Sequence, residues 1–359
     1  MPIHRCFDSG YARRTEAPIS LAPPHALLSE RGIEGAWWTP SYDGVRLFLG
    51  RPGLDVTARN PETWELLWSR AVPADDPNLP VEGVTLLLDG GSLVVGGESG
   101  LTVVDPEDGS TLSEHAIEAF NLSGAIAHGD LIVAELLADD AFHLAGFDLS
   151  RGALRYQRPL SGPVRFLTAD RERVFVARPS DVTAYATQDG EELWRFAAGT
   201  AGVGRCDGRA VSMEDVLLVP ARDPQHLLAL DAATGEERWR RRGVVGHGRC
   251  FAGDVDGIVW HVWDTVAQIR ASDGAVLREA PVASALRERE IHTLHTLPVV
   301  SDTHLYVAGD RNIAAIRKDD LTIEWSFRSG EPLVPATGLV AMAGLLFVVT
   351  MDRHLFVLR

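Results

Sequence analysis

An eight-bladed β-propeller, all-β and built from four-stranded antiparallel blades, is the fold class that the sequence predicts. Three observations predict it. The first is a recurring segment seen best as LLALDAATGEERW at Leu227–Trp239. Degenerate copies occur at Asp55–Trp68, Leu101–Ser113, His143–Tyr156, Val182–Trp194, Val266–Arg278 and Ile313–Trp325, with a half-copy, HLFVLR, at the C-terminal end. The second is the spacing. The place of Asp231 is taken by Asn60, Asp105, Asp148, Ala186, Arg270, Arg317 and Leu358, at intervals of 38 to 47 residues. A drifting period near forty suits one four-stranded blade per repeat with variable loops. The third is the lack of any long helical apolar periodicity, so the chain reads as strands and turns.

Each repeat has the same grammar. A short apolar strand such as Val216–Val219 is followed by a polar turn and a second strand, Leu227–Leu230. A tight Asp/Thr/Gly turn then leads to a strand ending in Trp. Gly109, Gly152, Gly190, Gly235 and Gly274 share one place in that turn. A residue at positive φ is needed there, which Gly adopts without a Cβ penalty. The Asp or Thr ahead of it can accept backbone N–H bonds and hold the turn. Trp68, Trp194, Trp239 and Trp325 lie four residues beyond it. Large amphipathic rings at one repeat position fill the gap between wedge-shaped neighbours while the indole N–H finds a partner. Trp194 and Trp239 are therefore expected to be largely buried between blades.

Other segments fall between the strands. Ala283–Ile291 can form one short helix, and Ile19–Leu28 reads as an irregular linker. Seven full copies and a half-copy make eight blades. Leu339–Leu358 supplies three strands of the last, and the N-terminal segment Ile3–Phe7 is expected to supply the fourth, beside His354–Leu358. The repeats run through the 359 residues without a linker-like break, so residues 1–359 are expected to form a single domain. Closing the ring also protects strand edges.

Composition excludes several function classes. Net charge is −16, which disfavours a sequence-independent nucleic-acid surface. Lys318 is the only lysine, so no lysine-centred mechanism can sit elsewhere. No apolar run suggests a membrane span or a secretion signal. Cys6, Cys206 and Cys250 are odd in number and far apart, unlike a disulfide framework. A cytoplasmic protein is the expectation.

The stretch Ala229–Trp239, ALDAATGEERW, resembles the signature repeat of pyrroloquinoline-quinone-type β-propellers, and the resemblance covers essentially the whole chain. That family includes quinone-dependent alcohol and sugar dehydrogenases. It also includes non-catalytic propellers such as the outer-membrane assembly lipoprotein of bacteria. The resemblance implies the fold; activity depends on sites grafted onto it. The family's enzymes carry adjacent cysteines over the quinone and a Ca²⁺ site of carboxylate and amide ligands. No Cys-Cys pair occurs here, and no position carries that constellation over. No cofactor and no catalytic residue is expected.

Two further patterns are candidate sites. His292 and His295, in IHTLHTL, would share one face on a helix and could hold a metal there. On a strand they point to opposite faces. GPVRF, GVGRC and GHGRC place Arg165, Arg205 and Arg249 at 40- and 44-residue separations, ahead of the first strand of three consecutive blades. Three guanidiniums at the channel mouth would bind a small anion. Alternatively each pairs with a local carboxylate such as Asp170, Asp207 or Asp254. Extra residues at Val72–Val81, Leu136–Phe142, Arg222–His226 and Ala280–Leu297 mark recognition loops. The expected function is a non-catalytic platform that holds a protein partner on its rim or axial loops. An anion or metabolite sensor using the arginines is the alternative, and a degenerate hydrolase or lyase at the channel mouth a third.

Overall fold

Alternation of apolar residues and tight polar turns produces eight antiparallel sheets set in a ring, six of them simple up-and-down runs of four consecutive strands. The computed structural model describes residues 27–32, 41–51, 55–71, 85–89, 92–96, 100–117, 120–199, 201, 205–206, 210–213, 215–222, 226–242, 251–254, 256–294, 296–333, 339–342, 344–352 and 354–359. Among these, the first seven blades span 41–71, 85–116, 120–159, 166–197, 205–242, 251–281 and 299–328. The eighth combines three C-terminal strands with one from the N-terminal side. No helix among the described residues is long and apolar enough to cross a membrane.

The strand that closes the ring differs from the expectation. Leu27–Gly32 pairs antiparallel with His354–Leu358, from Leu27 opposite Leu358 to Gly32 opposite His354. The other edge of His354–Leu358 is taken by Leu345–Val349. Both edges of the last strand are therefore filled without Ile3–Phe7, which lies outside the described residues. The principle of closure holds, but the segment LLSERG supplies it, overlapping what reads as a linker in sequence. The expected loop at Leu136–Phe142 is also absent. Strands Leu131–Ala138 and Ala141–Asp148 run on to the pair Ala138–Ala141 and are joined by Asp139 and Asp140 alone. Both aspartates have positive φ, 50° and 59°, as a two-residue hairpin of matching twist requires.

The recurring turn is built as its composition dictates. The Asp231 carboxylate accepts the N–H groups of Ala233 and Thr234, each at 2.9 Å. The Gly235 N–H closes back onto the Asp231 carbonyl at 2.8 Å, with Gly235 at φ +75°. In the first and seventh blades Trp64 and Leu321 hold the same place at φ 64° and 63°. That is a conformation that costs a side-chain-bearing residue about 1 kcal/mol or more.

Packing between blades follows from this turn. The Trp194 indole of the fourth blade lies on Gly235 of the fifth and donates its N–H to the Ala232 carbonyl at 3.0 Å. Trp68 on Gly109 and Trp239 on Gly274 repeat the arrangement, with N–H bonds to Pro106 and Ala271. Tyr156 takes the place over Gly190. Trp68 and Trp194 are 9% exposed, and Trp239 is buried less completely than either. Trp325 is half-buried and stacks on Phe327. The apolar clusters lie between consecutive blades and not around one centre, as radial repetition demands.

Candidate functional site on the loop-bearing face

In an up-and-down blade, the turns between second and third strands and the connections between blades leave from the same end. That end gathers the variable segments, so it is the face to search for a site.

Among the described residues, the connection between the sixth and seventh blades is the most elaborate. It begins where the N–H groups of Val282 and Ala283 donate to the Asp264 carbonyl at 3.0 and 3.1 Å. A single helical turn and a half, α1 (Ala283–Arg287), follows as expected. Leu286 donates to Val282 and Ile291 returns to Leu286, with Glu290 at φ 59° reversing the chain. Leu286 and Ile291 are buried against Trp260, Leu305 and Ile316, so an apolar cluster between two blades anchors the connection. Between it and the turn at Trp263 lies an open cleft of about 270 Å³. Trp263, Leu286 and Ile291 line it, with Asp264, Arg287 and His292 at its edge. Asp264 and Arg287 approach to 3.7 Å while 71% and 63% exposed, so their pairing is weak and open to exchange.

His292 is exposed there. His295 lies outside the described residues. Among the described residues, no three His, Cys, Asp or Glu side chains are grouped so that they could hold a metal.

The connection between the third and fourth blades is clamped from two sides. The buried Glu135 carboxylate accepts the Val164 N–H, and Arg178 donates to the Ser161 hydroxyl at 2.9 Å. Arg178 is itself 2% exposed. It donates to Asp181 through Nε at 2.9 Å and to Thr183 at 3.1 Å. Burial pushes the Asp181 carboxyl up. The Ser180 hydroxyl and the Arg178 guanidinium bonded to it outweigh this and hold it below its ordinary value. Arg165 follows directly, exposed, with its N–H on the Ala177 carbonyl at 2.9 Å.

Arg165 and Arg205 stand at different offsets from their inner hairpins. Arg165 lies four residues before the last pair of its inner hairpin, Ala169–Val174. Arg205 lies eight before the corresponding pair, Met213–Val216, within a separate short strand opposite Arg222. Arg249 and Asp207 lie outside the described residues. The expected carboxylate partners are engaged elsewhere. Asp170 holds Arg173 at 2.9 Å, and Asp254 holds Lys318 at 2.5 Å.

Sequence reading missed Glu135, Arg178 and Asp181. Buried polar residues interrupt an apolar strand pattern only once each, and nothing in a repeat count flags them. An Arg and an Asp three apart in the turn ARPSD is the one local signal.

Comparison with known proteins agrees with this architecture. A family model described as outer membrane protein assembly factor BamB matches residues 178–262 and 229–358. The crystal structure of BamB from Moraxella catarrhalis superposes with a TM-score of 0.69 at 17% identity, covering 93% of this chain and 99% of that one. A quinohemoprotein alcohol dehydrogenase from Pseudomonas putida HK5 gives 0.66 at 10% identity, covering 93% and 76%. A putative O-methyltransferase of Mycolicibacterium smegmatis is 35% identical over 77 residues, 21% of this chain. The chain spans 36% of that relative's length. The two structural likenesses show the fold, and the matched repeats show that the chain belongs to the family of pyrroloquinoline-quinone-like β-propellers.

Proposed function

We propose that the chain is a non-catalytic platform that docks a partner protein on its loop-bearing face, at the connection between the sixth and seventh blades. The observation that carries this is the cleft at Trp263, Leu286 and Ile291. Two blades hold its walls, whose lining mixes Trp263 with polar side chains, and a loosely paired Asp264 and Arg287 flank it. Rigid repeats with one elaborated loop suit recognition. The family description and the BamB neighbour support a scaffold role. We propose a cytoplasmic location with it, which cell fractionation checks.

The test is cross-linked co-purification from the native host. It compares wild type with a variant in which residues 283–294 are replaced by a short Gly/Ser turn and with Arg287→Glu. A partner captured by wild type and lost from both variants supports the reading. Equal capture by all three, with each variant folded by circular dichroism, sinks it.

A second reading has one observation in its favour: Arg165 stands exposed at the end of a connection clamped by Glu135 and Arg178. A pre-positioned guanidinium suits phosphate or carboxylate. Calorimetric titration of phosphate, sulfate and carboxylate metabolites into wild type and Arg165→Ala checks it. Identical heats for the two proteins would eliminate it.

A further inference from the structure

The seam between the sixth and seventh blades is closed differently from the seams that carry an aromatic on a glycine. At the place of Trp194 and Trp239 the sixth blade has Arg278, paired opposite Gln268. Its guanidinium donates to the carbonyls of Lys318 and Asp319 in the turn of the seventh blade. That turn holds Leu321 where five other copies have glycine. No ring can dock on a flat glycine there, and charge takes its place.

The centre of this polar seam is Lys318, the only lysine in the chain. Its ammonium reaches across to Asp254 of the sixth blade at 2.5 Å and donates to the Ser301 carbonyl at 3.0 Å. It also lies 5.5 Å from the centre of the Trp260 ring. Asp254 accepts the Trp260 N–H at 3.1 Å as well. The two charged side chains are only 16% and 5% exposed. Removing one partner of such a pair strands a buried charge, whereas removing both is far milder. Trp260 continues into the apolar cluster that contains Leu286 and Ile291. The ion pair at one end of the seam and the helical connection at the other therefore share one packed unit.

We propose that Lys318 and Asp254 form a charge-held latch on the seam between the sixth and seventh blades, whose release loosens the α1 connection on the opposite face. Any event that neutralises either charge releases it: protonation of Asp254, acylation of Lys318, or substitution. The latch needs no docked partner, so its failure and that of the docking reading are separate.

The single lysine makes the latch directly measurable. The native protein is treated with an acetylating N-hydroxysuccinimide ester beside a free lysine peptide, and acetylation at Lys318 is followed by mass spectrometry. In wild type, Lys318 should react at least about tenfold more slowly than the peptide, because it reacts only on local opening. In Asp254→Asn it should approach the peptide rate. Hydrogen exchange should rise in residues 256–262 and 283–294 of that variant and stay unchanged in 182–194 and 227–235. Should Asp254→Asn fail to fold, Lys318→Met, which breaks the same pair from the other side, should give the same exchange map. Acetylation of wild-type Lys318 at the peptide rate would overturn the proposal. So would exchange that rises evenly around the ring, or that does not rise at the α1 connection.

Discussion

Gly235 of the fifth blade and Trp194 of the fourth are in such close register that a Cβ built on the glycine would lie 2.5 Å from the indole ring. Two demands meet at that glycine, a positive φ of 75° and a flat surface for the ring. Either alone favours glycine. Gly235→Ala should therefore cost more than the roughly 1–2 kcal/mol of backbone strain, because the indole must also move. Trp194→Ala should cost about 3–5 kcal/mol, the range for truncating a large buried ring. Trp239, only half-buried, should cost less. Denaturant titration of the three variants gives the order. A Trp239→Ala loss equal to that of Trp194→Ala would contradict it.

The closing strand offers a sharper contrast. Leu27–Gly32 covers the edge of His354–Leu358, whose side chains Leu355 to Leu358 are all buried. Deleting residues 1–32 should expose that edge, lower the melting temperature and promote aggregation. Deleting residues 1–8 leaves the pairing intact, so its melting curve should match the full chain. The opposite ranking in a thermal scan would restore Ile3–Phe7 as the closing strand.

Acid should weaken the ring through its turns. The Arg238 guanidinium holds the Asp231 carboxyl down to about 2, and the Ser150 hydroxyl with Arg155 holds Asp148 below the usual carboxylate range. Burial pushes Asp254 up, but its bonds from Lys318 and Trp260 outweigh this and hold it low. A carboxyl depressed in the folded state contributes stability that is present above its unfolded pKa of about 4 and lost as pH falls through the folded value. Melting temperature should therefore fall from about pH 4 towards pH 2. Asp231→Asn isolates one contribution. Asn60 shows that an amide at this place still accepts the two turn N–H groups, at 2.9 Å each. The variant should keep its turn, lose the Arg238 contact and show a shallower acid dependence. An unchanged pH profile would place the acid sensitivity elsewhere.

Repeat grammar made the turns legible before any coordinates. Asp231, Gly235 and Trp239 announce a turn because a backbone with positive φ admits few residues and a ring needs a flat neighbour. The helix at Ala283–Arg287 falls within the segment Ala283–Ile291 that the sequence marked as one short helix. The closing strand was not so marked. LLSERG has no repeat partner, and its place is set by the free edge of a strand more than three hundred residues away. For Arg165 and Arg205, counting from one repeat to the next did not give equal places relative to the inner hairpin. An extra short strand in the fifth blade shifts Arg205 relative to its hairpin. The Lys318–Asp254 contact bridges 64 residues and two blades, a distance at which no spacing rule operates.

Some solved structures with this fold are quinohemoprotein alcohol dehydrogenases, so shape alone leaves an oxidation activity open. The docking reading predicts none. The resemblance to the quinone enzymes implies two neighbouring cysteines above the cofactor, and the three cysteines here stand at 6, 206 and 250. It also implies a carboxylate and amide cluster around Ca²⁺. Four aspartates of this ring are instead tied to arginines: Asp231 to Arg238, Asp148 to Arg155, Asp170 to Arg173 and Asp181 to Arg178. A carboxylate held by a guanidinium would have to give up that bond to ligate a metal, which costs several kcal/mol where the pair is buried. Reconstitution with pyrroloquinoline quinone and Ca²⁺ should therefore give no saturable oxidation of alcohols or sugars with an artificial electron acceptor. It should also leave the melting temperature unchanged, because a ligand that binds only the folded state would raise it. Turnover that saturates with substrate, or a melting temperature that climbs with quinone concentration, would make this propeller an enzyme and displace the docking reading.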